Sequence, residues 1–288
     1  MLSYQHEYHA GNHADILKHI CMCSILDSLC KKEKPFTVID IHAGAGVFDL
    51  TDERLLKTGE AKEGIEYLSS LSLTSCPEAA ALYLRKELPY LDQKLYAGTP
   101  ELERLFARKG DCIHLVEKHP QAIESLRRNM ELPLHVAEGL AKANVKPFIH
   151  EEDSYKAVSA LTPPLVKRGL LIADPSYEDA ADYNKVTDAL KTAHRKWNTA
   201  IIALWYPLIT RRKNETIQML TELEDFGKLG TNPCESFKVE LVVKDPEELT
   251  EEAGSHLYGS GMFIMNPSYM LKEKMEEAAA WLKEILKR

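Results

Sequence analysis

The stretch Phe36-Thr37-Val38-Ile39-Asp40-Ile41-His42-Ala43-Gly44-Ala45-Gly46 decides the fold of this chain. Its first half is an apolar run that predicts a buried strand over residues 36–41. Two glycines follow at the mouth of that strand, where a backbone without side chains can approach a bound ligand closely. A G-x-G turn alone is a weak signal, because a complete dinucleotide-binding motif has a third glycine. The acidic residues at the ends of the later strands strengthen the interpretation of this turn as part of a ligand-binding site.

Further apolar runs bounded by turn residues predict a seven-stranded sheet in an α/β, Rossmann-like fold. The predicted strands cover residues 36–41, 112–118, 145–150, 169–173, 199–205, 237–243 and 261–265, and the last two are expected to pair antiparallel. Residues 51–98 have helical character and no strand pattern. We therefore predict a main domain of residues 1–50 and 99–288, with 51–98 as a small inserted helical subdomain that forms a lid. The next helix is expected to have Thr99 as its N-cap, Pro100 as its first residue and its end at Gly110.

Acidic residues end four of the predicted strands. Asp40 and Glu117 lie at the ends of the first and second strands, and Asp153 and Asp174 follow the third and fourth. In a doubly wound sheet the carboxyl ends of parallel strands meet at one edge, where ligands bind. Glu117 is placed to bind the hydroxyls of a ribose, and Asp153 to hold an adenine amino group. A solvated acidic residue at a strand end is the plain alternative for Asp153.

The fourth strand leads into Asp174-Pro175-Ser176-Tyr177, a motif suited to methyl transfer onto an amino group. The exocyclic nitrogen of a nucleobase is a poor nucleophile, because its lone pair is delocalised into the ring. The Asp174 carboxylate and the Pro175 carbonyl supply two fixed acceptors for its hydrogens, which returns electron density to the nitrogen. The ring of Tyr177 offers a face on which an unstacked base lies flat. The alternative, a strand that ends in a proline turn, leaves the glycine turn upstream without a purpose.

A second motif, Asn266-Pro267-Ser268-Tyr269, has the same shape. The catalytic loop of a doubly wound sheet is expected beside the strand that carries the glycine turn, where the strand order reverses. Asp174 ends the fourth predicted strand, whereas Asn266 ends the last. We therefore favour Asp174, and we interpret Pro267 as the first residue of the C-terminal helix.

The N-terminal segment concentrates polar side chains, namely Tyr4, His6, His9, His13, Lys18 and His19. Metal binding is one interpretation of His9 and His13, which have the i, i+4 spacing of ligands on a helix. No flanking carboxylate completes an H-E-x-x-H pattern, so we predict no metal. Asn12 is expected to cap a helix that presents Lys18 and His19 on its exposed side near the mouth of the sheet. Ordinary surface side chains are the alternative for both residues.

Several segments of the sequence closely resemble the bacterial RlmJ family of methyltransferases. They are residues 1–6 (MLSYQH), 9–15 (HAGNHAD) with Lys18-His19, 42–46 (HAGAG), 174–178 (DPSYE) and 203–207 (ALWYP). The resemblance extends over nearly the whole chain. It implies the Rossmann-like sheet of a class I methyltransferase.

The resemblance also implies an S-adenosylmethionine-dependent enzyme that places one methyl group on N6 of an adenine in 23S ribosomal RNA, adenine 2030 in that family. It implies Asp174 as the catalytic residue, with Tyr4 and His6 closing over the target base. The residues that it places against the cofactor are Lys18, His19, His42, Thr99, Glu117, Asp153 and Ser154, together with Asp174 and the turn of Gly44 and Gly46. Two positions depart from the family pattern, since Ser176 replaces a second proline and Ser154 stands where glycine is common.

The composition fits a cytoplasmic enzyme. The 288 residues are enough for a large core, and six cysteines form no C-x-x-C pair. Without a signal peptide or a long apolar run, these cysteines are expected to be reduced. The net charge of −8 argues against nonspecific nucleic-acid binding, although basic residues cluster at 31–34, 127–128, 195–196 and 211–213. We predict a monomer that acts on 23S rRNA that is poor in protein or early in assembly, with RNA contacts on the helical lid and no membrane partner.

Other classes of function stay open. A methyltransferase that acts on another nucleic acid, on a protein or on a small-molecule amine would keep the cofactor residues. A nicotinamide-dependent dehydrogenase would share the glycine turn and Glu117, but it leaves residues 174–177 without a task. An RNA-binding module would leave the pocket chemistry unused.

Overall fold

The computed structural model describes residues 6–131, 145–247 and 257–286. The strands are β1 (Thr37–Asp40), β2 (Val47–Asp49), β3 (Leu95–Ala97), β4 (Cys112–Glu117), β5 (Phe148–Glu151), β6 (Gly169–Ala173), β7 (Ile201–Ile209), β8 (Ser236–Val242) and β9 (Leu257–Met265). The α-helices are α1 (His13–Cys30), α2 (Glu53–Thr58), α3 (Tyr67–Ser69), α4 (Glu78–Leu91), α5 (Thr99–Phe106), α6 (Pro120–Glu131), α7 (Ser154–Leu161), α8 (Ala181–Lys196), α9 (Lys213–Leu229) and α10 (Leu271–Leu286). Shorter helical turns lie at His6–Tyr8, Lys62–Glu66, Leu73–Ser75 and Thr210–Arg212.

Seven strands form one sheet in the order β5-β4-β1-β6-β7-β9-β8. The first five of these are parallel, and β9 pairs antiparallel with both β7 and β8. The predicted α/β fold, with seven strands and an antiparallel last pair, is therefore confirmed. The strand order reverses between β1 and β6, and such a reversal opens a crevice at the carboxyl ends of the two strands.

Helices cover both faces of this sheet, which is why β1 and β6 are buried at every position. Alternate residues of β6 enter different cores. Leu170 and Ile172 pack in a core that contains residues of α1, α4 and α10, whereas Leu171 and Ala173 pack with residues of α7, α8 and α9. α1 is buried along most of its length, because it lies between the sheet and α4.

The segment 51–98 differs from the prediction. It contains a strand, β3, which pairs antiparallel with β2. Its longest helix, α4, packs against α1 and α10, and Tyr83 and Leu84 of α4 belong to the same core as α1. Of residues 51–98, only Gly98 lines the cavity at the carboxyl edge of the sheet, so most of the segment supports α1, and its role as a lid stays a prediction. The division into a main domain and an inserted subdomain stays a prediction.

The start of α5 also differs from the prediction. Gly98 is the N-cap, one residue before the expected Thr99, and the helix ends at Phe106 before reaching Gly110. The Thr99 hydroxyl donates instead to Asp40 Oδ2 at 2.8 Å. Because the Thr99 hydroxyl bonds a buried carboxylate, it does not cap α5, and the N-cap position falls to Gly98.

At the two ends of the chain, one helix boundary agrees with the prediction and one does not. Asn12 caps α1, since its side-chain oxygen accepts from the backbone N–H groups of Ala14 and Asp15. Pro267 lies before α10, which begins at Leu271. All six cysteines are free thiols, and among the described residues no helix is long and apolar enough to cross a bilayer.

Candidate active site

A cavity of about 680 Å³ opens at the carboxyl edge of the sheet, where β1 and β6 lie side by side. Most of the predicted site residues line it, namely His6, Lys18, His19, His42, Gly44, Thr99, Glu117, Asp153, Ser154, Asp174 and Pro175. Gly46 and Tyr177 are not among the lining residues, and Tyr4 lies outside the described residues. Residues distant in sequence therefore meet at one edge, as a parallel sheet requires.

A buried lysine holds the carboxylate of Asp174. Asp174 directly follows β6, and its Oδ2 accepts from Lys18 Nζ at 2.5 Å. The same ammonium contacts Asp15 Oδ1 at 2.9 Å. The Lys18 side chain is only 6% exposed, so the expectation that it lies on the exposed side of α1 is wrong. Burial alone would lower the pKa of Lys18, but Asp15 and Asp174 together raise it above its ordinary value, and the ammonium stays charged.

His19 is buried as well, again in contrast to the prediction. Its Nδ1 shares a hydrogen bond with the Tyr96 hydroxyl at 2.9 Å, and its ring stacks on the Tyr96 ring. Burial lowers the pKa of His19 to about 3, so the imidazole is neutral at physiological pH. His19 therefore lines the cavity with an uncharged side chain.

His42 and Asp40 tie the end of β1 to the loop after β6. The backbone N–H of Asp174 donates to His42 Nδ1 at 3.2 Å, and burial lowers the pKa of His42 to about 4, which keeps that nitrogen free to accept. Asp40 Oδ1 accepts from the His42 N–H at 2.9 Å, and its Oδ2 accepts from Thr99. Burial raises the pKa of Asp40 to about 6. These bonds fix Asp174 relative to β1 and α5.

The two glycines of the turn have different surroundings. Gly44 has φ +64° and Gly46 has φ +82°, in the left-handed region that favours glycine. A side chain at Gly44 would meet nothing within 4 Å, whereas one at Gly46 would meet Met130 Cε at 2.9 Å. Gly44 thus faces the cavity and Gly46 packs against α6. The Gly44 N–H donates to Glu117 Oε2 at 2.9 Å, which holds that carboxylate beside the turn.

The start of α7 forms the opposite part of the cavity wall. Asp153 is the N-cap of α7, and Ser154 is the first residue of the helix. Asp153 Oδ2 pairs with Lys118 Nζ at 3.2 Å. Partial burial would raise the pKa of Asp153, but the hydrogen bond from Lys118 and the backbone donors of α7 lower it. Asp153 is therefore an ionised, partly exposed carboxylate.

Tyr177 does not present its ring to the cavity. The residue has φ +52° and is 4% exposed. Its ring packs against Tyr183, with centroids 4.6 Å apart, and against Trp205, and its hydroxyl donates to the Trp205 carbonyl at 2.9 Å. The expectation that a base stacks directly on Tyr177 does not agree with this arrangement, because protein side chains cover the ring.

The second D-P-x-Y-like motif lies at the other end of the sheet. Asn266 follows Met265, which pairs with Ile202 near the start of β7, whereas the cavity lies beyond the end of β6. The Asn266 amide donates to the carbonyls of Asn198 and Ala200. Asn266 therefore has a structural environment remote from the cavity, as the argument from strand order predicted.

Two of the N-terminal histidines, His6 and His9, pair with carboxylates. His6 Nε2 lies 3.0 Å from Asp15 Oδ2, and the His6 ring tilts against Phe48. His9 Nδ1 lies 3.0 Å from Glu60 Oε1, a hydrogen bond that raises the pKa of His9. In the parts of the chain that the structure describes, no group of three or more His, Cys, Asp or Glu side chains has a geometry that holds a metal ion.

Sequence reasoning missed several members of the site. Asp15 was identified only as part of the segment 9–15, although it contacts Lys18 directly. The cavity is also lined by Phe48, Lys185, Trp205 and Arg212. Of these, Trp205 belongs to the segment 203–207, which resembles the family, and Arg212 belongs to the basic cluster 211–213, so both had a signal in the sequence. Aromatic and cationic side chains at this edge are the groups that nucleic-acid sites use.

A seven-stranded sheet that reverses its order between β1 and β6 and ends in an antiparallel pair, with a glycine turn after β1 and carboxylates at the strand ends, is the arrangement expected of a class I methyltransferase. The model of the family described as ribosomal RNA large subunit methyltransferase D, RlmJ, matches residues 33–288. The chain belongs to this family of ribosomal RNA methyltransferases.

Two named relatives are similar in sequence to this chain over nearly its full length. The chain is 32% identical to the ribosomal RNA large subunit methyltransferase J of Escherichia coli over 283 residues, which cover 98% of this chain and 93% of the relative. It is 34% identical to the protein of the same name from Haemophilus influenzae over 290 residues, which cover 99% and 94%. The crystal structure of a Legionella pneumophila protein superposes with a TM-score of 0.80 at 28% identity, covering 97% of this chain and 94% of the other.

Proposed function

We propose that this enzyme transfers one methyl group from S-adenosylmethionine to N6 of an adenine in 23S ribosomal RNA. The names of the relatives from Escherichia coli and Haemophilus influenzae support the class of substrate. The observation that carries the choice of an amino group is the Asp174 carboxylate at the cavity, which Lys18 binds while His42 accepts from the Asp174 backbone N–H. An exocyclic amine needs fixed acceptors for its two hydrogens, whereas a ring carbon or a ribose hydroxyl does not.

The cavity fits the proposed cofactor. Gly44 leaves free the space in which a side chain would stand, and it fixes Glu117, which we assign to the ribose hydroxyls. Asp153 is assigned to the adenine amino group of the cofactor. Together with Asp174 these carboxylates make the cavity favourable for a cationic ligand. When bound, S-adenosylmethionine supplies a methyl group on a positively charged sulfur.

Asp174 and Pro175 orient the target amine. Lys18 occupies Oδ2 of Asp174, which leaves Oδ1 to accept one amino hydrogen, and the Pro175 carbonyl accepts the other. Positive charge develops on N6 while its bond to the methyl carbon forms and the bond from carbon to sulfur breaks. The Asp174 carboxylate stabilises this charge, and N6 then loses one proton, for which Asp174 is the proposed acceptor.

Trp205 takes the stacking role that the sequence suggested for Tyr177. Leu204 pairs with Ala173 across the sheet, so Trp205 stands beside Asp174 at the same edge. Trp205 lines the cavity and is partly exposed, and the buried Tyr177 ring packs behind it at a centroid distance of 6.1 Å. We assign the face of the extruded adenine to Trp205, with Tyr177 as its support. Closure by Tyr4 and His6 over the base stays a prediction.

Cofactor binding is expected to raise stability. At a hundredfold excess over Kd, S-adenosylmethionine adds about 2.7 kcal/mol to the free energy of unfolding. Thermal unfolding and titration calorimetry measure this directly. NAD at the same concentration is the control, because a dehydrogenase would respond to NAD. No heat and no shift in Tm with millimolar S-adenosylmethionine would contradict the cofactor assignment.

The product of the reaction tests the proposed target. We expect N6-methyladenosine in nucleosides from 23S rRNA that lacked the modification and was incubated with the enzyme and tritiated cofactor. Protein-free rRNA, assembled ribosomal subunits, bulk cell protein and free adenosine serve as parallel substrates, which separates RNA, protein and small-molecule methylation. Finding 1-methyladenine, 5-methylcytosine or a ribose methyl would contradict the mechanism built on Asp174.

A further inference from the structure

Asp15 is a buried carboxylate that connects the N-terminal segment to the pair formed by Lys18 and Asp174. Its side chain is 3% exposed. Asp15 Oδ2 accepts from the Gly11 N–H at 2.9 Å and lies 3.0 Å from His6 Nε2. Its Oδ1 lies 2.9 Å from Lys18 Nζ, and the same ammonium lies 2.5 Å from Asp174 Oδ2. A continuous line of contacts therefore runs from His6 to the carboxylate at the cavity.

We propose that Asp15 is a positioning residue for methyl transfer, which shares the Lys18 ammonium with Asp174 and thereby sets the charge that Asp174 presents to the target amine. The inference rests on the proposed function, since it concerns the same reaction. Asp15 does not line the cavity, so it acts through Lys18 and not by touching the substrate.

The charge balance explains why a second carboxylate is useful. Lys18 with Asp174 alone would be a neutral pair, whereas Lys18 with Asp174 and Asp15 has a net charge of −1. Positive charge develops on N6 during methyl transfer, and a net negative group stabilises it better than a neutral pair does. Asp15 also shares the ammonium with Asp174, so less of its positive charge is neutralised by Asp174 and more electron density stays on the oxygen that accepts the amino hydrogen.

The geometry favours this role over a purely structural one. The carboxylate of Asp15 already bonds a backbone N–H and a histidine, so a cap for the Gly11 turn does not require Lys18. Lys18 extends from the next turn of α1 and is buried between carboxylates from two distant parts of the chain. Asp15 and Asp174 together fix the position of the Lys18 ammonium, and the ammonium in turn fixes the Asp174 carboxylate. A displacement of a catalytic group by about 1 Å lowers the rate on the order of 100-fold.

Asp15→Asn keeps the shape of the side chain and removes its charge. We expect the single-turnover rate of methyl transfer to fall by about 10- to 100-fold, while the Kd for S-adenosylmethionine and the KM for RNA change by less than about threefold. Asp111→Asn is the matched control. Asp111 is also a buried carboxylate that accepts backbone hydrogen bonds, from Phe36 and Arg108, but it lies away from the cavity. Its substitution is expected to lower stability and leave the rate unchanged.

A double-mutant cycle with Lys18→Met separates an effect of Asp15 that is transmitted through Lys18 from a purely structural effect of Asp15. If Asp15 acts through Lys18, Asp15→Asn lowers the rate of the Lys18→Met variant by less than about threefold. The same 10- to 100-fold factor in both backgrounds, or a wild-type rate for Asp15→Asn, would overturn the inference. If Asp15→Asn does not fold, Asp15→Ser replaces it, because serine keeps a hydrogen-bonding oxygen but removes the charge, and a wild-type rate for that variant overturns the inference equally.

The experiment also distinguishes failure of the inference from failure of the proposed function. Loss of activity in Asp174→Asn together with full activity in Asp15→Asn would reject the role of Asp15 alone. Absence of N6-methyladenosine with the wild-type enzyme would reject the proposed function itself.

Discussion

Asp174→Asn is expected to lower the single-turnover rate of methyl transfer by about a thousandfold, which corresponds to about 4 kcal/mol of transition-state stabilisation. Asparagine keeps the shape of the side chain but replaces an anionic acceptor by a neutral amide. The Kd for S-adenosylmethionine is expected to change little, because the lost interaction is made mainly in the transition state. The measurement uses tritiated cofactor and excess enzyme over a 23S rRNA fragment.

Asp182→Asn is the matched control for this substitution. Asp182 lines the same cavity and pairs with Lys185 at 3.2 Å, but no step of the proposed mechanism uses it. We expect its rate to stay within about threefold of the wild type, because the Lys185 partner is exposed and an ion pair with an exposed partner contributes little. If Asp174→Asn retained more than about a tenth of the wild-type rate, the loss would be under about 1.4 kcal/mol and the proposed role of Asp174 would be wrong.

Gly44→Ala is expected to weaken binding of S-adenosylmethionine by about 100-fold, the second largest effect. The added methyl group meets no protein atom within 4 Å, so it projects into the space that we assign to the cofactor. The left-handed backbone at φ +64° adds a cost of about 1 to 2 kcal/mol to folding. Calorimetric titration with the cofactor measures the change in Kd.

Gly59→Ala provides a control with the same backbone strain. Gly59 has φ +68° and caps the end of α2, and a methyl group added there would meet no heavy atom within 4 Å. It does not line the cavity. Both variants should therefore lose similar stability, whereas only Gly44→Ala should lose cofactor affinity. Equal affinity in the two variants would show that the cofactor does not occupy the space beside Gly44.

The parts of the fold that the sequence predicted are those with a strong local pattern. Apolar runs such as residues 169–173 indicate strands that are buried on both faces, and all seven strands of the main sheet lie near the expected positions. Parallel strands place their carboxyl ends together, so the order of the strands was enough to assign Glu117 and Asp174 to one edge. The Asn12 cap was predictable because it depends only on its neighbours in sequence.

The errors concern features that depend on distant contacts. A lysine at the position of Lys18 is usually exposed, and nothing nearby in sequence indicates that Asp174 covers it. Tyr177 was expected at the cavity, but a left-handed backbone turns its ring under Trp205. β2 and β3 have three residues each, which is too short for a periodic pattern.

The contact between Lys18 and Asp174 joins residues that are 156 positions apart, so the site that contains both cannot form from the N-terminal part of the chain alone. Closing a loop of this length costs conformational entropy, and contacts between residues far apart in sequence form slowly. Until β6 is in place beside β1, the lysine of α1 has no second carboxylate, and burying its charge is unfavourable. Docking of α1 and formation of the pair between Lys18 and Asp174 are thus coupled. If Asp174 has the proposed role, we expect a chain in which α1 has not docked on the sheet to lack methyltransferase activity.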